Sequence, residues 1–287
     1  METVDTVVIG AGVIGLAVAR QSALAGRETL LLEAEATFGT QTSSRNSEVI
    51  HACLYYPTGS LKATTCVRGK ELLYRYCAEH GVAHRRIGKL LVATDASEMP
   101  ALAGYAERAA ANGVPLQPLA AVDIHRLEPA VRAIAGLYSA STGIVDSHGL
   151  MLALLGDAER AGATLVTRTP ATGARVEPAG IVLRVGDDES FELRCRRLVN
   201  AAGVRAQELA RCIEGLPADR VPPAFYAKGH YFTLSGRSPF RRLVYPMPDH
   251  AGLGIHVTLD LGGQCKFGPD VSGWPAGPDY AFESGLE

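Results

Sequence analysis

The chain has 287 residues, of which 47% are hydrophobic and 20% are charged, and its formal net charge is −2. This length and balance fit one large or two moderate globular domains and exclude a disordered chain. The near-neutral charge, with no basic tract interleaved with aromatic residues, excludes the usual pattern of a nucleic-acid-binding protein.

The cysteine spacing and the N-terminal sequence indicate the cellular compartment. The six cysteines include no C-x-x-C pair and no His/Cys group at metal-ligand spacing, which predicts free thiols, a reducing compartment and no metal site. No secretory signal and no apolar run of membrane-spanning length are visible. We therefore expect a cytoplasmic protein with no transmembrane segment, with peripheral contact to an inner membrane left open.

The first 35 residues have the pattern of a dinucleotide-binding βαβ unit. A β-branched strand, residues 7–9, precedes Gly10, Gly12 and Gly15, then an Ala/Leu-rich helix and a second apolar run that delivers Glu33. In this pattern the glycines permit a tight turn and close approach of a pyrophosphate, the helix N-terminus attracts the phosphates, and the acid accepts hydrogen bonds from a ribose. The unit alone does not distinguish FAD from NAD, because Glu33 serves either ribose.

Two later stretches extend the predicted cofactor site. Residues 38–56, FGTQTSSRNSEVIHACLYY, are rich in small and hydroxyl residues, which predicts a loop that wraps a cofactor and offers hydrogen-bond donors to its phosphates. Residues 194–204, RCRRLVNAAGV, predict a strand whose small terminal residues let a ribose and pyrophosphate lie against the backbone, with a helix following.

The remaining chain predicts helices and an antiparallel sheet. Amphipathic helices are expected over residues 61–80 and 100–111, with a strand in GKLLVATD between them. From Lys228 onward the alternating stretches GHYFTL, RRLVYPMP, LGIHVTLDL and QCKFGP predict an antiparallel meander with a hairpin at Gly262-Gly263.

These motifs together resemble one family. The glycine unit ending in Glu33, followed by TSSRNSEVIHACLYYPTGSLKA, resembles the FAD-dependent oxidoreductases of the D-amino-acid oxidase superfamily. Within it, NSEVIHACLYY, KGHYF, YPMPD, LGIHVT and FGPD are most similar to the L-2-hydroxyglutarate dehydrogenase/oxidase group. The resemblance implies oxidation of a small 2-hydroxy acid, L-2-hydroxyglutarate to 2-oxoglutarate, by hydride transfer to flavin N5, with a quinone or oxygen as electron acceptor.

The resemblance also implies the architecture. It is an α/β fold, more closely an α+β two-domain flavoprotein, in which a Rossmann-like FAD-binding domain (1–75 and 144–214) is interleaved with an antiparallel-sheet substrate domain (76–143 and 215–287). The family ends with a further FAD-contacting helix and strand. The sequence ends at Glu287, just after the meander, so this segment is missing from it; either the sequence is truncated or the protein differs from the family here, and the flavin affinity and activity of this form stay open.

Carried onto this sequence, the resemblance implies a set of FAD contacts in the glycine unit, the wrapping loop and the later strands. Covalent flavin attachment is not expected, because Arg45 stands where some relatives carry the attaching histidine. The candidate FAD contacts are Gly10, Gly12, Val13, Ile14, Gly15, Glu33, Ala34, Ser43, Ser44, Arg45, Asn46, Ser47, Ala171, Ala201, Ala202 and Gly203.

Oxidising a 2-hydroxy acid requires a base for the hydroxyl proton and groups that hold the carboxylate. Histidine suits the base because its pKa lies near working pH, and His51 and His256 stand out by position, His256 because it alternates with Ile255 and Val257 on a predicted strand. Arg241 and Arg242 are further candidates for holding the carboxylate. The candidate catalytic residues are His51, His256, Lys228, Tyr56 and Tyr231.

Two alternatives stay open at this point. An amine or amino-acid oxidase of the glycine or sarcosine oxidase type would use the same fold and the same hydride geometry. A Rossmann protein that binds NAD, or one that binds a nucleotide without catalysis, would share the first βαβ unit.

Overall fold

The computed structural model describes residues 3–186, 190–248, 254–273, 277–278 and 280–281. The chain divides into two compact units. The first unit is formed by Met1–Asn46, Ser147–Tyr226 and Ala276–Pro278, and the second by Ser47–Asp146, Ala227–Pro275 and Asp279–Glu287. Residues 47–75 therefore belong to the second compact unit and residues 215–226 to the first, whereas the predicted functional domains divide the chain at 75 and 214. Residues 249–253, 274–276, 279 and 282–287 of the predicted substrate domain lie outside the described residues.

The described chain combines α-helices with a larger number of β-strands. The helices are α1 (Val13–Leu24), α2 (Leu61–Glu79), α3 (Met99–Ala111), α4 (Ala121–Leu127), α5 (Ser147–Arg160) and α6 (Ala206–Arg211). The strands are β1 (Thr3–Ile9), β2 (Thr29–Leu32), β3 (Val49–Ile50), β4 (His84–Arg85), β5 (Lys89–Ala93), β6 (Gln117–Ala120), β7 (Ala135–Ser139), β8 (Gly143–Val145), β9 (Thr164–Val166), β10 (Ala171–Glu177), β11 (Gly180–Val185), β12 (Phe191–Asn200), β13 (Ile213–Glu214), β14 (Lys228–Thr233), β15 (Leu243–Pro246), β16 (His256–Leu259) and β17 (Cys265–Gly273).

The first unit is built on a seven-stranded sheet in the order β13-β10-β11-β12-β1-β2-β9. β12, β1, β2 and β9 run parallel, as the βαβ pattern predicts, whereas β10, β11 and β12 pair antiparallel. Buried aliphatic residues of β1, β11 and β12 form its core. The small side chains of Ala23 and Ala158 are buried together, which lets α1 and α5 pack closely.

The second unit is built on another seven-stranded sheet, in the order β14-β17-β16-β15-β5-β7-β6. Strands β15, β16 and β17 form the predicted antiparallel meander, and the predicted hairpin at Gly262-Gly263 joins β16 to β17. In a meander, strands that follow one another in sequence pair with each other. This expectation was wrong for β14, which pairs with β17 rather than β15. A three-stranded sheet, β3-β8-β4, completes the unit.

The two faces of this second sheet differ in chemistry. Leu90 and Val92 of β5 point to one face, where they pack in an apolar cluster with Val244 and Val257. Side chains point to alternate faces along a strand. Lys89, Leu91 and Ala93 of β5 therefore point to the other face of the sheet. That face carries an apolar cluster around Leu91 but also the buried polar side chains of Lys89 and His256.

Helix ends follow local signals. Ser60 caps α2 by accepting a hydrogen bond from the Ala63 N–H, and the predicted helix over 61–80 is confirmed to within one residue. Over the described part of the chain, no helix combines the length and apolar character needed to cross a membrane.

Candidate functional site

In the first unit, the glycine turn joins β1 to α1 with almost no spare space. Gly10 has a φ of +93°, and a Cβ there would lie 2.5 Å from the carbonyl oxygen of Ala201. A Cβ at Gly15 would lie 1.8 Å from the carbonyl oxygen of Gly10. Any side chain at these two positions would push the helix away from the strand ends. The close packing that the glycine pattern predicts is therefore present.

The N-terminus of α1 opens beside the loop that was predicted to wrap a cofactor. The Val13 N–H donates to the Ser43 hydroxyl at 3.0 Å, which places Ser43 where a phosphate oxygen would meet the helix. Gly12 is the N-terminal capping position, and no acidic side chain occupies the first turn. Ile14 is 66% exposed on this turn. The helix end therefore keeps its favourable potential for an anion.

Glu33 follows β2 and is 8% exposed. Its carboxylate accepts hydrogen bonds from the Ala11 N–H at 2.7 Å and the Glu35 N–H at 3.0 Å. Because each carboxylate oxygen has a second lone pair, the group can hold this turn and still accept a ribose hydroxyl. Ala34, beside it, is exposed.

Residues 42–46 of the wrapping loop are organised by their own hydrogen bonds. The Ser44 hydroxyl donates to backbone carbonyls at positions 40 and 41, and the Arg45 guanidinium donates to the same two carbonyls. The Asn46 side chain donates to the Ser43 carbonyl at 2.7 Å. This network fixes the loop that carries Ser43. Ser47, also predicted as an FAD contact, belongs to the second unit and shares a hydrogen bond with Tyr231 there.

The end of β12 lies beside the glycine turn, as the VNAAG pattern implied. The Ala201 N–H donates to the Ile9 carbonyl at 2.9 Å, and the Ala202 N–H donates to the Asn200 side chain at 3.2 Å. Gly203 begins a single 3₁₀ turn before α6. Ala171 begins β10 and packs at the margin of the first unit's core.

The first unit's residues fit a dinucleotide cofactor. The parallel strand ends, the glycine turn, the α1 N-terminus and Glu33 meet at one edge of the sheet, where ligands of such sheets bind. A Cβ at Gly10 or Gly15 would close this cradle. No group of three or more His, Cys, Asp or Glu side chains suited to a metal ion is found in the ranges that the structure describes.

In the second unit, the polar face of the sheet is organised around Lys89. Its side chain is 0% exposed, and its Nζ lies 4.8 Å from the ring centroid of Tyr55 and 4.3 Å from that of Tyr245. Burial lowers the pKa of Lys89 to about 7. Burial likewise raises the pKa values of Tyr55 and Tyr245, so both phenols stay neutral.

Of the two histidines singled out in the sequence, His256 lies on this polar face, and His51 lies in the segment after β3. The His256 ring is 6% exposed and stacks on Tyr245, with centroids 3.7 Å apart and planes 12° from parallel. The pKa of His51 is lowered to about 4, mainly by burial and in smaller part by the charges of Lys89, His256 and Lys62. His51 is therefore neutral and able to accept a proton across the physiological range.

Tyr231 places a further hydroxyl group near Tyr245. It shares a hydrogen bond with Ser47, and it influences the ionisation of Tyr245. A Cβ at Gly268 would meet the Tyr231 ring at 2.8 Å, so the ring lies directly on the backbone of β17. Tyr231 is 39% exposed, which keeps it accessible to a ligand.

The catalytic candidates Tyr56 and Lys228 are not among the described side chains that contact Lys89. The Tyr56 ring lies 4.5 Å from Lys62 Nζ, and its backbone carbonyl accepts from Asn112; it is Tyr55, one residue earlier, that faces Lys89. Lys228 begins β14 and is half-buried.

The arginine pair serves structure. Arg242 pairs at 3.2 Å with Glu128, which is 0% exposed, and the Arg241 backbone N–H donates to the same carboxylate. The role of this pair in holding a substrate carboxylate stays a prediction; the charge of Arg242 is compensated by Glu128.

Sequence reasoning missed Lys89, Tyr55 and Tyr245. The available signal was a lysine opening an otherwise apolar strand, KLLVA, all five residues of which are buried. A charged residue at the start of a fully buried strand is unusual enough to mark a candidate site.

Comparison with known proteins identifies the family. The model of the family described as FAD dependent oxidoreductase (DAO) matches residues 5–284. The chain belongs to this family. FAD is the cofactor on which the family depends, and the cradle of the first unit fits it, which removes the NAD-binding alternative.

Within this family, the chain is similar to proteins named L-2-hydroxyglutarate dehydrogenase. The chain is 47% identical to the mitochondrial L-2-hydroxyglutarate dehydrogenase of Arabidopsis thaliana, over 94% of this chain and 62% of that protein. It is 31% identical to the human mitochondrial enzyme of the same name, over 93% and 60%, and 30% identical to that of Escherichia coli, over 93% and 64%. The chain thus spans about three fifths of the length of these relatives.

Solved structures support the fold. L-alpha-glycerophosphate oxidase from Mycoplasma pneumoniae, with FAD bound, superposes with a TM-score of 0.85 at 24% identity, over 95% of this chain and 72% of that one. Glycine oxidase from Geobacillus kaustophilus gives 0.80 at 20%, over 95% and 72%. The mixed α/β flavoprotein fold predicted from the sequence is confirmed.

Proposed function

We propose that the protein oxidises L-2-hydroxyglutarate, or a closely similar 2-hydroxy acid, to the corresponding 2-oxo acid. The observation that carries the proposal is a half-buried His51 whose lowered pKa, caused by burial and then by the charges of Lys89, His256 and Lys62, keeps it neutral, in a chain 47% identical to a protein named for that activity. We take the substrate from the names of the relatives. The second unit carries side chains able to accept a proton and to hold a carboxylate.

The chain's own residues would divide the work. His51 takes the hydroxyl proton, as the neutral imidazole of its lowered pKa allows. Tyr231 donates a hydrogen bond to the substrate, and Lys228 and His256 remain candidates for holding its carboxylates. When bound, FAD supplies the acceptor for the hydride that leaves the substrate carbon.

The FAD contacts proposed are those of the first unit. The glycine turn and Ser43 would hold the pyrophosphate, and Glu33 would hold a ribose. Ser44, Arg45 and Asn46 would act through the loop geometry that their hydrogen bonds fix. The electron acceptor, a quinone or oxygen, and residence in the cytoplasm or at an inner membrane stay predictions from the sequence; the plant and human relatives are named mitochondrial, and the E. coli relative is not.

A substrate panel tests the function. Purified protein supplied with FAD and an artificial electron acceptor is assayed with L-2-hydroxyglutarate, D-2-hydroxyglutarate, L-lactate, glycine, sarcosine and D-alanine. The proposal expects turnover of L-2-hydroxyglutarate well above that of the amines. Turnover restricted to glycine or sarcosine would replace it with the amine oxidase alternative.

A further inference from the structure

The second unit contains a cavity lined mainly by basic side chains. Its volume is about 480 Å³, and its lining residues come from α2, from the segment around β4 and from the turn between β7 and β8. This volume lies in the range of small-molecule binding sites. None of the described residues that line it is a candidate FAD contact or a candidate catalytic residue. The cavity therefore has no role in the proposed oxidation.

Tyr74 and the turn between β7 and β8 form a fixed wall of the cavity. Tyr74 is 5% exposed, and its hydroxyl donates to the Ser141 carbonyl at 3.2 Å. A Cβ at Gly143 would overlap this hydroxyl, so the phenol fits directly against the start of β8. Burial raises the pKa of Tyr74 to about 12, and the charge of Arg86 opposes this rise only in part, so the phenol stays neutral. The wall is thus preformed and carries no negative charge.

Three basic side chains meet at this wall. The Lys70 ammonium donates to the Ser141 hydroxyl at 3.3 Å. The Arg86 guanidinium lies over the Tyr74 ring, 4.1 Å from its centroid, and the centroid of the His84 ring lies 5.8 Å from that of Tyr74. These contacts hold the three basic groups close together without neutralising them.

The charges that line the cavity are not balanced. Arg75 adds a third arginine or lysine charge, and Glu71 is the one carboxylate among the described residues of the lining. In the ranges that the structure describes, no ion pair joins Lys70, Arg75 or Arg86 to a carboxylate. Scattered exposed cations are ordinarily solvated, but here they surround a concave site. With His84 neutral, three cations and one carboxylate leave a net charge of +2.

We propose that this cavity binds a phosphate group, carried by a soluble phosphomonoester or by a lipid headgroup. Such a group has a charge of about −1.5 to −2 at neutral pH and three acceptor oxygens, which matches the surplus charge of the lining. Arg75 and Arg86 provide planar donor forks for phosphate oxygens, and Lys70 provides a point charge. The Ser141 hydroxyl, which accepts from Lys70, keeps its own hydrogen to donate.

His84 is a reporter placed in the site itself. Its Nδ1 lies 2.7 Å from the Val82 carbonyl oxygen. A carbonyl oxygen only accepts, so Nδ1 carries the hydrogen and Nε2 is the nitrogen left to respond to a ligand. The imidazole signals of His84 should therefore move when phosphate enters the cavity.

The test measures binding to the full chain loaded with FAD, so that the glycine turn of the first unit is occupied. Inorganic phosphate and methyl phosphate are titrated at low ionic strength by calorimetry, and the histidine signals are followed by NMR, with His84→Gln to assign them. Arg75→Gln and Arg86→Gln each remove a cation of the cavity. The matched control is Arg68→Gln, because Arg68 is an exposed arginine of the same helix that does not line the cavity.

A second pair of variants tests the opposite sign. Glu71→Gln removes the negative charge of the lining and should strengthen phosphate binding by roughly threefold. Glu79→Gln is its control, because Glu79 is an exposed carboxylate of α2 outside the cavity.

The proposal expects saturable binding, with the His84 signals moving at the same midpoint. Arg75→Gln and Arg86→Gln should each weaken it by about tenfold, the low end for a charge-assisted hydrogen bond because the site is open to water. Arg68→Gln and Glu79→Gln should change it by less than about twofold, because their charges are screened. Absence of binding at millimolar phosphate, binding that leaves His84 unmoved, or an equal loss in Arg68→Gln and Arg75→Gln overturns the proposal. Tighter binding of succinate than of methyl phosphate at this site overturns the choice of a phosphate.

Vesicle flotation identifies the source of the phosphate. Phosphatidylcholine vesicles with and without phosphatidic acid are mixed with wild type, Arg68→Gln and the double variant Arg75→Gln/Arg86→Gln. Flotation that needs phosphatidic acid and is lost only in the double variant supports a lipid headgroup. Binding of methyl phosphate without flotation supports a soluble phosphomonoester. Substrate oxidation is not among these measurements, so failure of the proposed function would leave them readable.

Discussion

Replacing Lys89 by methionine should make the protein more stable, and the gain should depend on pH. Methionine is unbranched and of similar length, so it can fill the same space between the rings without a charge. The folded-state pKa of Lys89 is about 7 against an ordinary value of 10.5. At 1.36 kcal/mol per pKa unit, this difference corresponds to roughly 5 kcal/mol as an upper value.

The sign follows from proton binding in the two states. Between pH 7 and 10.5 the unfolded chain keeps a proton on Lys89 and the folded protein does not, so wild-type stability rises with pH through this window. Below about pH 7 both states are protonated and the full penalty applies. Methionine has no such penalty, so the stability difference between variant and wild type should be largest near pH 6 and shrink steadily toward pH 10.

The assay is urea unfolding of both proteins at pH 6, 8 and 9.5, followed by circular dichroism. Taking the difference at each pH cancels the titration of all other groups. Arg126→Met provides the control, because its exposed pair with Asp123 should change stability by less than about 1 kcal/mol. A Lys89→Met variant that is less stable than wild type, or a difference that does not vary with pH, would refute the view of Lys89 as an uncompensated buried charge.

Three further predictions concern the base, the cradle and the arginine pair. His51→Gln should lower the rate of L-2-hydroxyglutarate oxidation at pH 7 by at least about 100-fold with the fold intact; a rate within a few-fold of wild type would exclude His51 as the base. Gly15→Ala should abolish flavin retention, measured by absorbance after gel filtration, because its Cβ would lie 1.8 Å from a carbonyl oxygen, whereas Gly69→Ala on α2 meets no atom within 4 Å and should retain flavin; equal retention by both would contradict the cradle. Arg242→Met should cost about 3 kcal/mol in urea unfolding, because Glu128 would stay buried without its partner, and a stability equal to wild type would show that the pair contributes little.

Local patterns predicted the first unit well because its function depends on neighbours in sequence. A strand, three glycines, a helix and an acid within 35 residues define one βαβ unit, and the close approaches at Gly10 and Gly15 follow directly from that pattern. The contact between the glycine turn and Ala201 spans far more sequence. We could predict this contact only because a strand ending in small residues at this point is typical of the family.

The polar face of the second unit could be predicted only in part. His51 and His256 were accessible from position and alternation. Lys89 was not, because its environment depends on the parallel pairing of β5 with β15, two strands separated by about 150 residues of sequence. Nothing local distinguishes Tyr55 from Tyr56 either; both lie in the segment between β3 and α2, whose tertiary packing decides which ring reaches Lys89. The pairing of β14 with β17 was missed for the same reason.

The most direct test of the proposed function is an anaerobic titration of the FAD-loaded protein with L-2-hydroxyglutarate, followed by flavin absorbance and by assay of 2-oxoglutarate. The account predicts bleaching of the flavin bands with one 2-oxoglutarate formed per flavin, and no bleaching by glycine or sarcosine. A flavin-loaded protein that L-2-hydroxyglutarate leaves oxidised, or a protein that retains no flavin, would contradict it.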